Sequence, residues 1–273
     1  MTDVNEWQGK TGDSWAAEWR RTDRTFTMLT EELLRRTRGA PCTQVLDIGC
    51  GAGELSLALA RGRPDSKIIG VDISPQLNAV ARARGARLEN VDFVVADAAQ
   101  WQPPAGFAPD FLISRHGVMF FDQPESAFAN LAQIAAPHAK LLFSCFRTPA
   151  ENPIFTEVAR LLPEQPEMGP PGPGPFAFAD SEKVQGILTA GGWTDVVFTP
   201  FDLAMVVGGG EDSIEDAVSY FGRIGPTARA MSEMDEDSRK RFLERLRRMA
   251  QNNCRDNLVM LPAAVWIVTA SKA

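Results

Sequence analysis

The run V-L-D-I-G-C-G-A-G-E, from Val45 to Glu54, reads as a short buried strand, a tight glycine turn and the start of a helix. Residues 45–48 are apolar except Asp47, and Leu55, Leu57, Ala58 and Ala60 then recur at helical spacing. Gly49, Gly51 and Gly53 tolerate positive φ and place no Cβ between the main chain and a ligand. N–H groups at the helix start suit the negative or dipolar end of a cofactor. The same spacing is the usual dinucleotide fingerprint, so a nicotinamide-dependent oxidoreductase is one reading. That reading would want glycine where Glu54 stands, and it leaves Asp47 unexplained. A carboxylate at the strand end, facing the turn, suits a cationic amine or sulfonium better than a pyrophosphate.

The chain on either side continues the pattern. Residues 67–71 form a second apolar strand that ends in Asp72, and Ser74-Pro75 caps and opens a helix to about Gly85. Asp72 lies about 20 residues beyond the glycine turn, where an acidic residue can hydrogen-bond ribose hydroxyls. Residues 91–96 form a third strand before Asp97-Ala98, residues 110–114 a fourth before Arg115-His116, and residues 140–146 a fifth. Pro124 opens a helix between the last two. Five strands alternating with helices predict a parallel, doubly wound α/β sheet with ligands at the C-terminal strand ends. The motifs all sit there.

The outer segments divide the rest. Residues 1–38 are a polar helical segment in which Trp15 and Trp19, four apart, share one face that packs on the domain or forms a lid. Residues 39–146 are the core, and residues 147–178 are a loop in which the six prolines between Pro163 and Pro175 exclude a regular element. This loop is either a flexible linker or a segment pinned back by Phe176 and Phe178. Residues 179–202 return to the core with a helix and a sixth strand at 193–201. Residues 203–257 are a helical insertion and substrate cap, helical throughout 211–252, and residues 258–273 carry a last strand. The arginines of the 236–251 helix are balanced by acids, which gives a solvated amphipathic helix.

Composition removes several classes. A net charge of −7 gives no support for nucleic-acid binding. No apolar run approaches the length of a membrane span, and the polar start lacks the layout of a signal peptide, so a cytoplasmic protein is expected. Four cysteines without a C-x-x-C pair, and two histidines, argue against a metal site or a disulfide framework. Cys50, inside the turn, is expected to pack as a small hydrophobe.

D-I-G-C-G-A-G, with Asp47, Asp72 and Asp97 in order at the strand ends, resembles the class I S-adenosylmethionine-dependent methyltransferases. Within that family S-R-H-G-V-M-F-F after the fourth strand is similar to the small-molecule enzymes of the ubiquinone-biosynthesis and trans-aconitate type. It lacks the N-P-P-Y or D-P-P-Y run of many enzymes acting on nucleic-acid bases or glutamine. The resemblance implies a Rossmann-like sheet of seven strands with the last antiparallel beside the fifth. It implies S-adenosyl-L-methionine as cofactor, held by Asp47, Gly49, Cys50, Gly51, Gly53, Asp72, Ile73, Asp97, Ala98 and Arg115. Ile73 would lie against adenine, Asp97 would reach its amino group, and the next backbone N–H would meet a ring nitrogen.

The chemistry so implied is direct displacement of the sulfonium methyl by a nucleophile on a small, apolar or aromatic metabolite, with positioning as the main catalytic effect. His116 is the candidate general base by location and ordinary pKa. Trp15, Trp19, Phe120 and Tyr220 are candidate substrate contacts. A protein that binds the cofactor or its demethylated product without transfer is the alternative. Oligomeric state stays open, with a homodimer among the options.

Overall fold

A computed structural model of the chain describes residues 4–163 and 172–273. Four short helices come first: α1 (Val4–Gln8), α2 (Lys10–Ala17), α3 (Trp19–Thr25) and α4 (Thr27–Arg36). The alternating core comes next as β1 (Gln44–Ile48), α5 (Glu54–Gly62), β2 (Lys67–Asp72), α6 (Pro75–Gly85), β3 (Val91–Val95), β4 (Phe111–Arg115), α7 (Pro124–Ile134) and β5 (Lys140–Phe146). Beyond it lie α8 (Pro153–Arg160), α9 (Ser181–Ala190), β6 (Trp193–Gly208), α10 (Ser213–Phe221), α11 (Gly225–Glu233), α12 (Glu236–Asn252), β7 (Cys254–Arg255) and β8 (Leu258–Lys272).

The sheet runs β3-β2-β1-β4-β5-β8-β6, with β7 paired to β8. The first five strands are parallel, and β8 is antiparallel to both β5 and β6. The expected order, with the last strand inserted beside the fifth, is the one observed. Strand order reverses between β1 and β4, so the tips of these two strands and the turns after them frame the crevice where ligands of such sheets bind. Buried apolar side chains on both faces, among them Leu46, Ile48, Ile68, Leu112 and Phe143, form the core. Trp193 is buried too, its indole N–H donating to the Phe128 carbonyl at 3.0 Å.

Three expectations about elements need correction. The sixth strand runs on to Gly208, because Leu203, Met205 and Val207 alternate inward and the whole run pairs with β8. Residues 203–208 therefore belong to the sheet and not to the insertion. An eighth strand, β7, arises because Asp256 and Asn257 both adopt positive φ (51° and 59°) and turn the chain back on itself. Residues 213–252 are three helices with breaks at Gly222–Ile224 and Met234–Asp235, not one continuous helical region.

The 147–178 segment contains a regular element after all, α8, whose Pro153 sits in the first turn, where proline is tolerated. Most of the proline run, residues 164–171, lies outside the described residues. Residues 174–178 are pinned to the body. Gly174 N–H donates to Met119 O at 3.1 Å, and Phe178 is buried 6.2 Å from both Phe128 and Phe143. No helix among the described residues is long and apolar enough to cross a membrane.

The N-terminal helices and the insertion pack on one another. Arg21 and Arg24 of α3 pair with Asp216 of α10 at 3.0 and 2.8 Å, and Tyr220 Oη lies 3.3 Å from Thr22 Oγ1. At the other end, α2 lies hard on the start of α6. A Cβ at Gly12 would stand 2.5 Å from Ser74 Oγ and 2.2 Å from the Trp7 carbonyl. This close approach brings the N-terminal helices down over the β2–α6 turn.

Candidate functional site

The glycine turn is built as its sequence demands. Gly49, Gly51 and Gly53 have φ of 65°, 54° and 83°, in the left-handed region that other residues avoid. A Cβ at Gly49 would fall 2.8 Å from Gly117 Cα, so the turns after β1 and β4 touch backbone to backbone. At Gly51 nothing lies within 4 Å of a Cβ position, which leaves a bare, open stretch of main chain. The turn's donors, however, are used internally. Gly49 and Cys50 N–H both donate to Val71 O (2.9 and 3.1 Å), Gly53 N–H donates to Cys50 O (2.9 Å), and Gly51 N–H donates to Asp72 Oδ2 (2.7 Å). The N–H groups of the three glycines are thus taken up within the fold, and what the glycines themselves supply is close approach.

The three strand-end carboxylates have different surroundings. Asp72 is buried and accepts from Gly51 N–H and, on its other oxygen, from Ser74 N–H at 2.8 Å. Burial raises its pKa, and the two backbone bonds oppose the rise. Each oxygen retains a lone pair for a hydroxyl donor. Half-buried Ile73 comes after it, and half-buried Asp97 is oriented by Ala99 N–H at 2.9 Å, with Ala98 next to it.

Asp47 departs from the expected orientation. It is 1% exposed, and its Oδ2 accepts from Ser56 N–H (3.1 Å) and Ser56 Oγ (2.6 Å), tying the end of β1 to the first turn of α5. Its Oδ1 has no partner. Burial pushes its pKa up to about 6 against those Ser56 bonds. Cys50 packs, as expected, with its thiol beside Gly70 and its pKa driven up by burial.

Arg115 and His116 stand at the tip of β4. The Arg115 guanidinium is ion-paired with Glu54, at the start of α5, and donates to Thr30 Oγ1 of α4 at 2.7 Å. It therefore ties α4 to the start of α5. His116 is 7% exposed, at φ 65°, stacked on Phe146 with ring centroids 4.1 Å apart and edge-on to Phe26 at 5.3 Å. Its Nδ1 lies 3.5 Å from Ser144 Oγ, and its Nε2 has no partner. Burial, then Arg115, lowers its pKa to about 3. Burial and the Arg115 cation thus oppose the protonation that the general-base role expected from its position requires.

The candidate substrate contacts do not gather at one point. Trp15 lies 5.9 Å from Trp7, and Trp7 in turn 5.5 Å from half-buried Phe120, so these three join the N-terminal helices to the body. Trp19, across the irregular helix junction at Glu18, is covered instead by the Arg84 and Arg20 guanidinium groups at 3.9 and 4.4 Å. Tyr220 is buried, with its pKa raised by burial. Sequence reasoning missed the aromatic wall formed by Phe26, Phe146, Phe155 and Phe176, in which Phe155 stands 4.8 Å from Phe146 and 5.2 Å from Phe176. It also missed Arg84, which donates to Asp23 (2.6 Å) and to the Ala52 carbonyl of the glycine turn (2.7 Å). Nothing in local periodicity signals such pairs, whose partners come from distant elements.

His116 also gives stability a pH dependence. With its folded pKa at about 3 and an ordinary value of 6.5, the unfolded chain takes up a proton that the native state refuses. Stability is therefore lost as pH falls from about 6.5 toward 3. Asp23 and Asp47, both raised to about 6 chiefly by burial, act in the opposite sense between about 4 and 6. Replacing the histidine isolates its share. Asparagine tolerates the left-handed backbone. Between pH 7.5 and 5, His116→Asn should gain about 2 kcal/mol on the wild type in denaturant unfolding. A stability difference that stays constant across that range would exclude the neutral, buried imidazole.

The family described as a methyltransferase domain matches residues 45–138. Trans-aconitate 2-methyltransferase of Paracidovorax citrulli is 34% identical over 121 residues, covering 44% of this chain and 45% of that protein. Malonyl-[acyl-carrier protein] O-methyltransferase of Halalkalibacterium halodurans is 29% identical over 123 residues, with 44% and 45% covered. The aligned chain spans about half the length of these curated relatives. Among solved structures, phosphoethanolamine N-methyltransferase 2 of Haemonchus contortus in complex with S-adenosyl-L-methionine shares the fold. Its TM-score is 0.59 at 16% identity, over 100% of this chain and 60% of that one. Residues 45–138 thus match a methyltransferase-domain family, and the chain shares the fold of a methyltransferase solved with S-adenosyl-L-methionine.

Proposed function

We propose that this chain is an S-adenosylmethionine-dependent methyltransferase that acts by direct displacement on a small acceptor with an apolar or aromatic body. The observation that carries this reading is Asp72, held at the tip of β2 by Gly51 N–H and Ser74 N–H beside the open main chain of Gly51. A carboxylate with spare lone pairs beside bare backbone fits the hydroxyls of an adenosyl group, with Ile73, Asp97 and Ala98 flanking the adenine. The unpartnered Asp47 Oδ1 adds a negative group on the side where a cationic tail would lie. Bound there, the cofactor supplies a methyl group already activated on a sulfonium.

The protein's part is then to bind, align and exclude water. The lid helices close over the β2–α6 turn, and alignment of this kind is worth ~7–11 kcal/mol when reacting groups are held in line. Phe26 and Phe146 flank His116 and Phe155 and Phe176 extend the aromatic cluster, and the unpartnered Nε2 of His116 would hydrogen-bond one polar atom of the acceptor. Arg115, the cation beside this wall, is committed to Glu54. That pairing favours an apolar or aromatic acceptor over the polycarboxylate for which the trans-aconitate 2-methyltransferases among the relatives are named.

The test is transfer of labelled methyl from S-adenosylmethionine to panels of phenols, apolar amines and polycarboxylates. Label is expected in an aromatic or apolar acceptor. Transfer confined to polycarboxylates would overturn the acceptor class, and binding without transfer to any acceptor would favour a non-catalytic binding protein.

A further inference from the structure

Among the described residues, four carry buried side-chain nitrogen or oxygen atoms with no hydrogen-bond partner: Asp47, Asn78, His116 and Arg147. Arg147 has its Nη atoms paired with Asp202 and Glu151, and Asp47 and His116 are each bonded through another atom. Asn78 differs. Its side chain is 0% exposed, and both Nδ2 and Oδ1 are unpartnered. Leaving such groups unpaired costs about 1–3 kcal/mol apiece, and an apolar side chain would remove that cost and favour the helix more. Nothing in the ligand-free fold uses this amide.

Its place in the fold indicates what could. Asn78 sits one helical turn beyond the N-cap Ser74, on the face of α6 that also buries Leu77, Ala81 and Gly85. Ala81 lies against the glycine turn, its Cβ 3.0 Å from a Cβ built at Gly53. Arg82 donates to the Phe93 carbonyl of β3 at 2.7 Å. Since α6 runs back down the sheet, Asn78 stands one turn, about 5.4 Å, nearer the strand tips than Arg82. That level is the end of β2 and β3, where Asp72 is gripped by Gly51 and Ser74.

We propose that Asn78 is a second adenosine-recognising residue, its amide both donating to and accepting from the adenosine of the bound cofactor. This rests on the cofactor reading above. An amide offers a donor and an acceptor side by side, which matches the ribose hydroxyls or the amino-and-ring-nitrogen edge of adenine; the same pairing lets asparagine read adenine in DNA. The charged amino-acid tail of the cofactor would be better matched by an ion than by a neutral amide.

The test measures binding of S-adenosylhomocysteine and of 5′-methylthioadenosine, which lacks the amino-acid tail, to wild type, Asn78→Leu and Asn78→Ala. Thermal unfolding of the ligand-free proteins is recorded alongside. Both variants should bind both compounds about tenfold to hundredfold more weakly, with the ratio between the two compounds unchanged. Affinities within twofold of wild type for both variants, or loss limited to the compound carrying the tail, would overturn the assignment. Wild type that binds neither compound would remove the cofactor reading itself, before any variant is compared.

Discussion

Asp72→Ala should reduce the affinity for S-adenosylmethionine and S-adenosylhomocysteine by more than a hundredfold. The substitution removes the acceptor for Gly51 N–H (2.7 Å) and Ser74 N–H (2.8 Å) and leaves both donors orphaned at the tip of β2. Each orphaned donor costs about 1–3 kcal/mol, and the hydroxyl contacts of a bound ribose are lost as well. The bonds also hold the glycine turn to the β2–α6 turn, so both walls of the site loosen together. Some loss of thermal stability is therefore expected with the loss of binding. Asp72→Asn should retain more stability than Asp72→Ala and still bind weakly, because an amide facing two N–H donors can accept from only one of them. Calorimetric affinity within a few-fold of wild type for Asp72→Ala would remove this residue from the cofactor site.

Arg115→Met should be the most destabilising of the single substitutions considered. Glu54 and Arg115 are 19% and 16% exposed and lie on different elements, joined further by Thr30 of the lid. Removing the cation leaves a largely buried carboxylate without its partner, a change that costs about 3–5 kcal/mol. For a chain of this size that corresponds to a fall of roughly 10 °C in melting temperature. The nearby Asp23 carboxyl, already pushed up to about 6 by burial and by Glu54, would lose a cation that helps keep it ionised. The double variant Glu54→Gln with Arg115→Met removes the unpaired charge and should recover most of the loss. A double variant no more stable than Arg115→Met alone would show that the pair is not what holds lid to core.

The parallel core was legible because its signals are local. The strand over 140–146 ends where expected, and Ser74-Pro75 opens α6 as a cap and first turn must. The glycine turn and the three acidic strand ends were readable for the same reason, since each needs only its own neighbours in sequence. The extension of β6 was not, because Leu203 to Gly208 become strand only by pairing with β8, far along the chain. The same holds at the site. The Ser56 bonds to one oxygen of Asp47, and the pairing of Arg115 with Glu54, are contacts that spacing along the chain does not reveal. Position alone made His116 a base; the rings of Phe146 and Phe26, from other elements, make it a buried neutral imidazole. Sequence spacing locates a group, and the burial and pairing that set its chemistry come from tertiary contacts.

The most direct measurement is calorimetric titration of the purified protein with S-adenosylmethionine, S-adenosylhomocysteine and NAD. Binding of both adenosyl compounds and not of NAD is the expected result, and it would establish the cofactor on which the site geometry converges. Binding of NAD alone would contradict the methyltransferase reading.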